Sequence, residues 1–132
     1  MEKPFCQSIS LASATENEVI AFAAIPAESP WYDGHFPGHP ILPGIAILGL
    51  VAEAIHAQAH HGGRAVTLTG LSRVRFRLPV SPGERMEIRL RREKRAEEWV
   101  YSFSVILAGE SLCGGVFTGR EQAEKKSLTK GI

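Results

Sequence analysis

The stretch Ile45-Ala46-Ile47-Leu48-Gly49-Leu50-Val51-Ala52-Glu53-Ala54-Ile55-His56 decides the fold. It holds good helix formers and no proline, and it predicts a helix from Ile45 to about His61. Pro43 stands just ahead of it, where a missing N–H costs nothing, and Gly62-Gly63 stops it. Apolar residues at 45, 47, 48, 50, 51, 52, 54, 55 and 57 surround most of the cylinder, so the helix is expected to be buried on nearly all sides. The sequence has no other long helix.

Outward from the helix, the pattern changes to short strands. Upstream, Pro26 to Gly44 carries five prolines and three glycines, a density that forbids regular structure and implies a rigid loop able to position side chains. Before that loop, Phe5 to Leu11 and Val19 to Ile25 read as two strands joined by a turn at Ser13 to Asn17. Downstream, strands are expected at about Val66 to Arg77, Arg85 to Lys94, Trp99 to Leu107 and Ser111 to Thr118. Val74, Phe76 and Leu78 alternate with Arg73, Arg75 and Arg77, and Met86, Ile88 and Leu90 alternate with Glu87, Arg89 and Arg91, which makes one sheet face apolar and the other charged. A buried helix beside such a sheet implies an α+β fold, a single domain whose antiparallel sheet wraps around one long central helix. The domain is placed at residues 1–118, and 119–132 reads as a polar C-terminal tail.

At 132 residues, with 44% hydrophobic and 22% charged, the chain has the balance of one globular domain with a core of its own. A net charge of +1 gives no global reason to expect nucleic acid. The N-terminal residues lack an apolar export segment, and the longest apolar run is interrupted by Glu53 and His56, so no membrane span is expected and the cytoplasm is the expected location. Cys6 and Cys113 lie at opposite ends without metal-type spacing and suit reduced thiols. Neither a metal nor any other cofactor is expected.

The loop leading into the helix reads His35-Phe36-Pro37-Gly38-His39-Pro40-Ile41-Leu42-Pro43-Gly44. A histidine, able to take a proton near neutral pH, stands nine positions before a glycine that opens a helix. The first N–H groups of that helix lack internal partners, and the dipole is positive there, so a carbonyl oxygen gaining negative charge would be stabilised. A histidine filling the core beside a structural loop would use the same residues.

This string resembles the His-Phe-x-Gly-x-Pro-x-x-Pro-Gly signature of the β-hydroxyacyl-[acyl carrier protein] dehydratases, and Val74-Arg75-Phe76-Arg77-Leu78-Pro79-Val80-Ser81-Pro82-Gly83-Glu84 looks like that family's next strand and Pro-Gly turn. The resemblance runs from about Phe5 to Gly119 and implies a hot-dog fold with the helix at its centre. It also implies a homodimer with active sites at the subunit interface, and an acyl carrier protein or CoA thioester as substrate. By the same resemblance His35 takes the α-carbon proton of a 3-hydroxyacyl thioester and the Gly44 N–H holds its carbonyl. Phe36, Pro43 and Gly49 then become substrate-binding positions.

One departure bears on the chemistry. The family carries a carboxylate fourteen positions after the histidine to help the β-hydroxyl leave as water, and this chain has Gly49 there. Glu53 stands one helical turn on, at the place of the family's glutamine, about 6 Å further along the axis on the same face. Helical side chains lean toward the N-terminus, so Glu53 is expected to reach over the spot that Gly49 leaves bare and to act as a displaced acid. A buried carboxylate hydrogen-bonded to Tyr32 or the backbone is the other reading. The bare position itself could serve packing, substrate room or Glu53. The same departure leaves open a non-catalytic acyl-carrier binding module, a partner subunit of an active dehydratase, or thioester hydrolysis or isomerisation on the same scaffold.

His56 and His60 are spaced as an i, i+4 pair, but no cysteine or carboxylate lies at supporting spacing, and histidines suit a helix C-terminus. His39 and Asp33 read as loop residues, and Trp31 and Tyr32 as core or pocket aromatics. Arg73, Arg75 and Arg77, with Arg89, Arg91, Arg92, Lys94 and Arg95, form either a solvated outer face or a surface for an acidic carrier protein.

Overall fold

The structure is a computed structural model that describes residues 9–25, 44–81 and 83–124. Its elements run β1 (Ser10–Ala14), β2 (Glu18–Ala23), α1 (Gly44–His61), β3 (Arg64–Phe76), β4 (Met86–Arg95), β5 (Glu98–Leu107) and β6 (Glu110–Ala123). The strands form one six-stranded sheet in the order β1-β2-β4-β5-β6-β3, with every pairing antiparallel. This is the expected α+β architecture, one helix held in a wrapped sheet, the hot-dog arrangement. No described helix is long and apolar enough to cross a membrane.

The core follows from period-two alternation meeting period 3.6. Val19, Ala21 and Ala23 of β2, Met86, Ile88 and Leu90 of β4, and Tyr101, Phe103 and Val105 of β5 all turn inward. They meet Ala46, Ile47, Leu50, Val51, Ala54 and Ile55 of α1, which repeat every three to four residues down one helix face.

The helix is not buried on nearly all sides, as its composition suggested. Ile45 is 68% exposed, Leu48, Gly49, Ala52 and Glu53 are half-buried, and His56 is exposed. The sheet covers one side of the cylinder, and this opposite stripe stays open among the described residues.

Two boundaries move by three residues or more. β1 runs to Ala14, three residues past its expected end, because the turn is confined to Thr15, Glu16 and Asn17: the Thr15 hydroxyl accepts the Glu18 N–H at 3.0 Å and the Thr15 N–H donates to the Glu18 carbonyl at 2.8 Å. β6 continues to Ala123 rather than giving way to a tail at 119, pairing Gly119 with Leu68 and Ala123 with Arg64. The apolar side of β3 is only partly covered, with Leu71 43% and Phe76 47% exposed, because β3 is an edge strand.

The polar end of β6 is polar for a structural reason. Glu121 accepts from Arg92 at 2.8 and 2.6 Å, from Arg64 at 2.8 Å and from the Tyr101 hydroxyl. Arg92 also reaches the Glu16 carbonyl at 3.0 Å and lies over the Trp99 ring. Gln58 of α1 donates to the Thr15 carbonyl at 3.0 Å, so this cluster ties the helix C-terminal end to the β1–β2 turn and to four strands.

Candidate functional site

Gly44 is the first residue of α1, and the ring of Phe76 lies over it: a Cβ built on residue 44 would stand 2.7 Å from the Phe76 Cζ. Two features bring them together. A β-bulge between Ser72 and Arg75, with Arg73 at φ 55°, bends β3, and the strand ends at Phe76 beside the helix start. Only glycine permits so close an approach. No acidic side chain occupies the first turn of α1, so the positive end of the helix dipole has no carboxylate of its own there. Sequence reasoning missed Phe76 as a site residue, because it read the ring as one more apolar strand position. The motif Val74-Arg75-Phe76-Arg77 gave no sign of which end of the helix it would meet.

Along the open stripe of α1, Gly49 and Glu53 differ from expectation in an instructive way. Apart from its chain neighbours and the helix's own backbone, no described atom lies within 4 Å of where a Gly49 Cβ would stand, so Glu53 does not extend over that spot. The Glu53 carboxyl turns elsewhere: its Oε1 is buried and has no hydrogen-bond partner. Burial alone raises its pKa above the ordinary 4.5. A buried oxygen without a partner is costly unless the carboxyl is protonated or a ligand supplies the missing bond. Glu53 is therefore a half-buried carboxyl whose Oε1 lacks a bonding partner; of the hydrogen-bonded reading, a backbone bond is not found among the described residues and the Tyr32 partner lies outside them.

His35, Phe36 and Pro43 lie outside the described residues, as do Trp31, Tyr32, Asp33, His39 and Cys6. Cys113 is free and buried, and burial pushes its thiol up to about 11, which suits a core residue. His56, His60 and His61 are exposed, and His60 bonds Glu124 at 2.8 Å. Among the described residues no group of three or more His, Cys, Asp or Glu side chains comes together in a metal-like cluster.

The arginines divide into two sets. Arg89 pairs with Glu87, Arg91 with Glu18 and Arg95 with Glu93, while Arg92 faces inward, 5% exposed, on Glu121. Arg92 is thus removed from the outer basic face assigned to it from sequence. Arg73, Arg75 and Arg77 are exposed and make no ion pair among the described residues. A concavity of about 500 Å³ on the outer sheet face, lined by Ile20, Arg89, Arg91, Ser102 and Ser104, lies on the far side of the sheet from α1 and is no part of this site.

The single sheet and its central helix define a hot-dog fold, and the matches to known proteins agree. A family model described as ApeI-like, ApeI dehydratase, matches residues 11–115, and the chain belongs to that family. It is 31% identical over 97 residues to a 3-hydroxyacyl-[acyl-carrier-protein] dehydratase FabZ of Syntrophobacter fumaroxidans, a match that covers 70% of this chain and 66% of that protein. A FabZ of Chloroflexus aggregans is 38% identical over 77 residues, 54% of each chain. The chain thus spans about two thirds or less of the length of these relatives. Among solved structures, a hypothetical thioesterase with coenzyme A from Streptococcus pneumoniae superposes with a TM-score of 0.75 at 9% identity, covering 92% of this chain and 91% of that one. The dehydratase heterocomplex ApeI:P from Xenorhabdus doucetiae gives 0.65 at 18% identity, covering 90% of this chain and 99% of that one. At such identities these structures support the fold alone.

Proposed function

We propose that this protein is a lyase that interconverts 3-hydroxyacyl and 2-enoyl thioesters, with His35 as base, the Gly44 N–H as carbonyl donor and Glu53 as acid. The observation that carries the reading is the Glu53 carboxyl, buried at Oε1, unpartnered and raised in pKa by burial, on the open stripe of a helix whose first residue is Gly44. In the forward direction the imidazole takes the α-proton, negative charge gathers on the thioester oxygen at the helix N-terminus, and the β-hydroxyl leaves as water with a proton from Glu53. Phe36 and Pro43 flank the base and the donor in sequence, as substrate-binding positions. The thioester carrier is an acyl carrier protein or CoA, as the names of the FabZ relatives and of the CoA-bound thioesterase suggest. We place the protein in the cytoplasm.

We further read the protein as a homodimer. β3 is a 13-residue edge strand with Leu71 and Phe76 exposed beside the open stripe of α1, and a second copy would cover both. A hetero-oligomer is the second reading, favoured by Gly49 at the position where the family carries its acid and by the ApeI:P structure being a heterocomplex. The test is turnover of 3-hydroxyacyl thioesters of several chain lengths by the purified wild type, His35→Ala and Gly49→Glu. Dehydration lost in His35→Ala supports the enzyme; a wild type that is inactive alone, with activity arising only in Gly49→Glu or on adding an active relative, supports the partner subunit.

A further inference from the structure

Among the side chains that α1 buries, seven are apolar and one, Gln58, is polar. Gln58 is 3% exposed. Burying an amide is costly unless its N–H groups are bonded, and here Nε2 donates twice, to the Thr15 carbonyl at 3.0 Å and to the Glu16 carbonyl at 3.3 Å. Those carbonyls belong to the β1–β2 turn, which is itself fastened to the sheet. The Arg92 N–H of β4 donates to the Asn17 carbonyl at 2.7 Å and the Arg92 guanidinium to the Glu16 carbonyl at 3.0 Å. The same guanidinium is held at 2.6 Å by Glu121 of β6. A chain of directional bonds thus runs from the helix through the turn to two strands.

The apolar contacts along the rest of the buried side are non-directional: they hold α1 against the sheet but define its place along its own axis only loosely. A buried, bonded amide defines one place, the use of buried polar groups that is best attested in packed helices. No proline interrupts α1, so a displacement at Gln58 is carried along the rod to Glu53 and on to Gly44. Gly44 lies fourteen residues before Gln58, about 21 Å along the axis, where the Phe76 ring stands 2.7 Å from an added Cβ. We propose that Gln58 is a positioning residue: its amide sets the axial position of α1 against the sheet, and with it the places of the Gly44 N–H and the Glu53 carboxyl. The effect on turnover rests on the dehydratase reading, and the effect on helix position does not.

The test uses Gln58→Met, which keeps the side-chain bulk and loses both hydrogen bonds. Circular dichroism confirms folding, and Gln58→Asn, which keeps the amide on a stem one carbon shorter, serves if Gln58→Met does not fold. Wild type and variant are labelled with 4-fluorophenylalanine, the Phe76 signal is assigned by its loss in Phe76→Leu, and kcat and KM for dehydration are measured on the same folded samples without label. A purely local role for Gln58 leaves the Phe76 ring, at the other end of the helix, where it was. We expect the Phe76 fluorine signal to move by more than its linewidth and kcat to fall at least about tenfold with KM changed less than about threefold. An unmoved Phe76 signal overturns the proposal whatever the activity, and so does a moved signal with wild-type kcat. If the wild type turns over no 3-hydroxyacyl thioester, the dehydratase reading fails and the fluorine signal alone decides: a shift supports the axial role of Gln58, and no shift overturns it.

Discussion

The Phe76 ring lies over Gly44 so closely that a Cβ on residue 44 would stand 2.7 Å from its Cζ. The end of an edge strand and the first residue of the helix are thereby locked together, and the locked glycine is the one whose N–H is assigned to the substrate carbonyl. Gly44→Ala is expected to cost about 1–3 kcal/mol of stability through overpacking and to lower kcat/KM at least about tenfold. Gly44→Ala combined with Phe76→Leu should recover part of both, measured by urea unfolding and steady-state kinetics. Equal losses in the single and double variants would show that the ring is not what constrains residue 44.

Gly49→Ala should stabilise the fold by about 1 kcal/mol, since alanine is the better helix former and nothing described within 4 Å obstructs its methyl. Thermal unfolding checks this. A drop in Tm would mean that the position is filled.

Glu53→Gln should raise stability in a pH-dependent way. Burial lifts the folded-state pKa of Glu53 above its ordinary 4.5, so the folded protein binds the proton more tightly, and ionised Glu53 opposes folding at higher pH. The advantage of glutamine should be full above the raised pKa, shrink as pH falls through it, and vanish below about 4.5. Paired Tm measurements across that range test it, and a pH-independent difference would place Glu53 in contact with water or a cation.

Glu121 should behave in the opposite sense. Burial by itself would lift its carboxyl, but hydrogen bonds from Arg92, Tyr101 and Arg64 outweigh burial and bring it to about 2. A depressed folded-state pKa contributes stability that is complete above the ordinary 4.5 and is lost as pH falls toward 2. Glu121→Gln should therefore cost about 3–5 kcal/mol at neutral pH, because it strands the buried Arg92, and should flatten the acid limb of the stability profile. Loss at neutral pH with an unchanged acid limb would assign that limb to other carboxylates.

Much of this was legible from residue pattern, and the failures share one cause. The helix and the downstream strands declare themselves through periodicity and through Gly62-Gly63, Ala96-Glu97 and Ala108-Gly109, because those signals are local. Which helix face the sheet leaves open is not local: Ile45 and Ile47 look alike in sequence, yet one is 68% and the other 3% exposed. Arg92 was read into an outer charged face and Glu121 into a polar tail, and only the pairing of β4, β5 and β6 brings them together in the interior. Glu53 was found from its place in a motif, but its separation from the Gly49 notch depends on a rotamer that sequence does not encode.

The central claim is that Glu53 supplies the proton that the bare position at Gly49 cannot. Its most direct test is kcat for dehydration of a 3-hydroxyacyl thioester by Glu53→Gln beside the wild type at neutral pH. A loss of about 100-fold or more, in a variant at least as stable as the wild type, is the predicted result; full activity in Glu53→Gln would contradict the account.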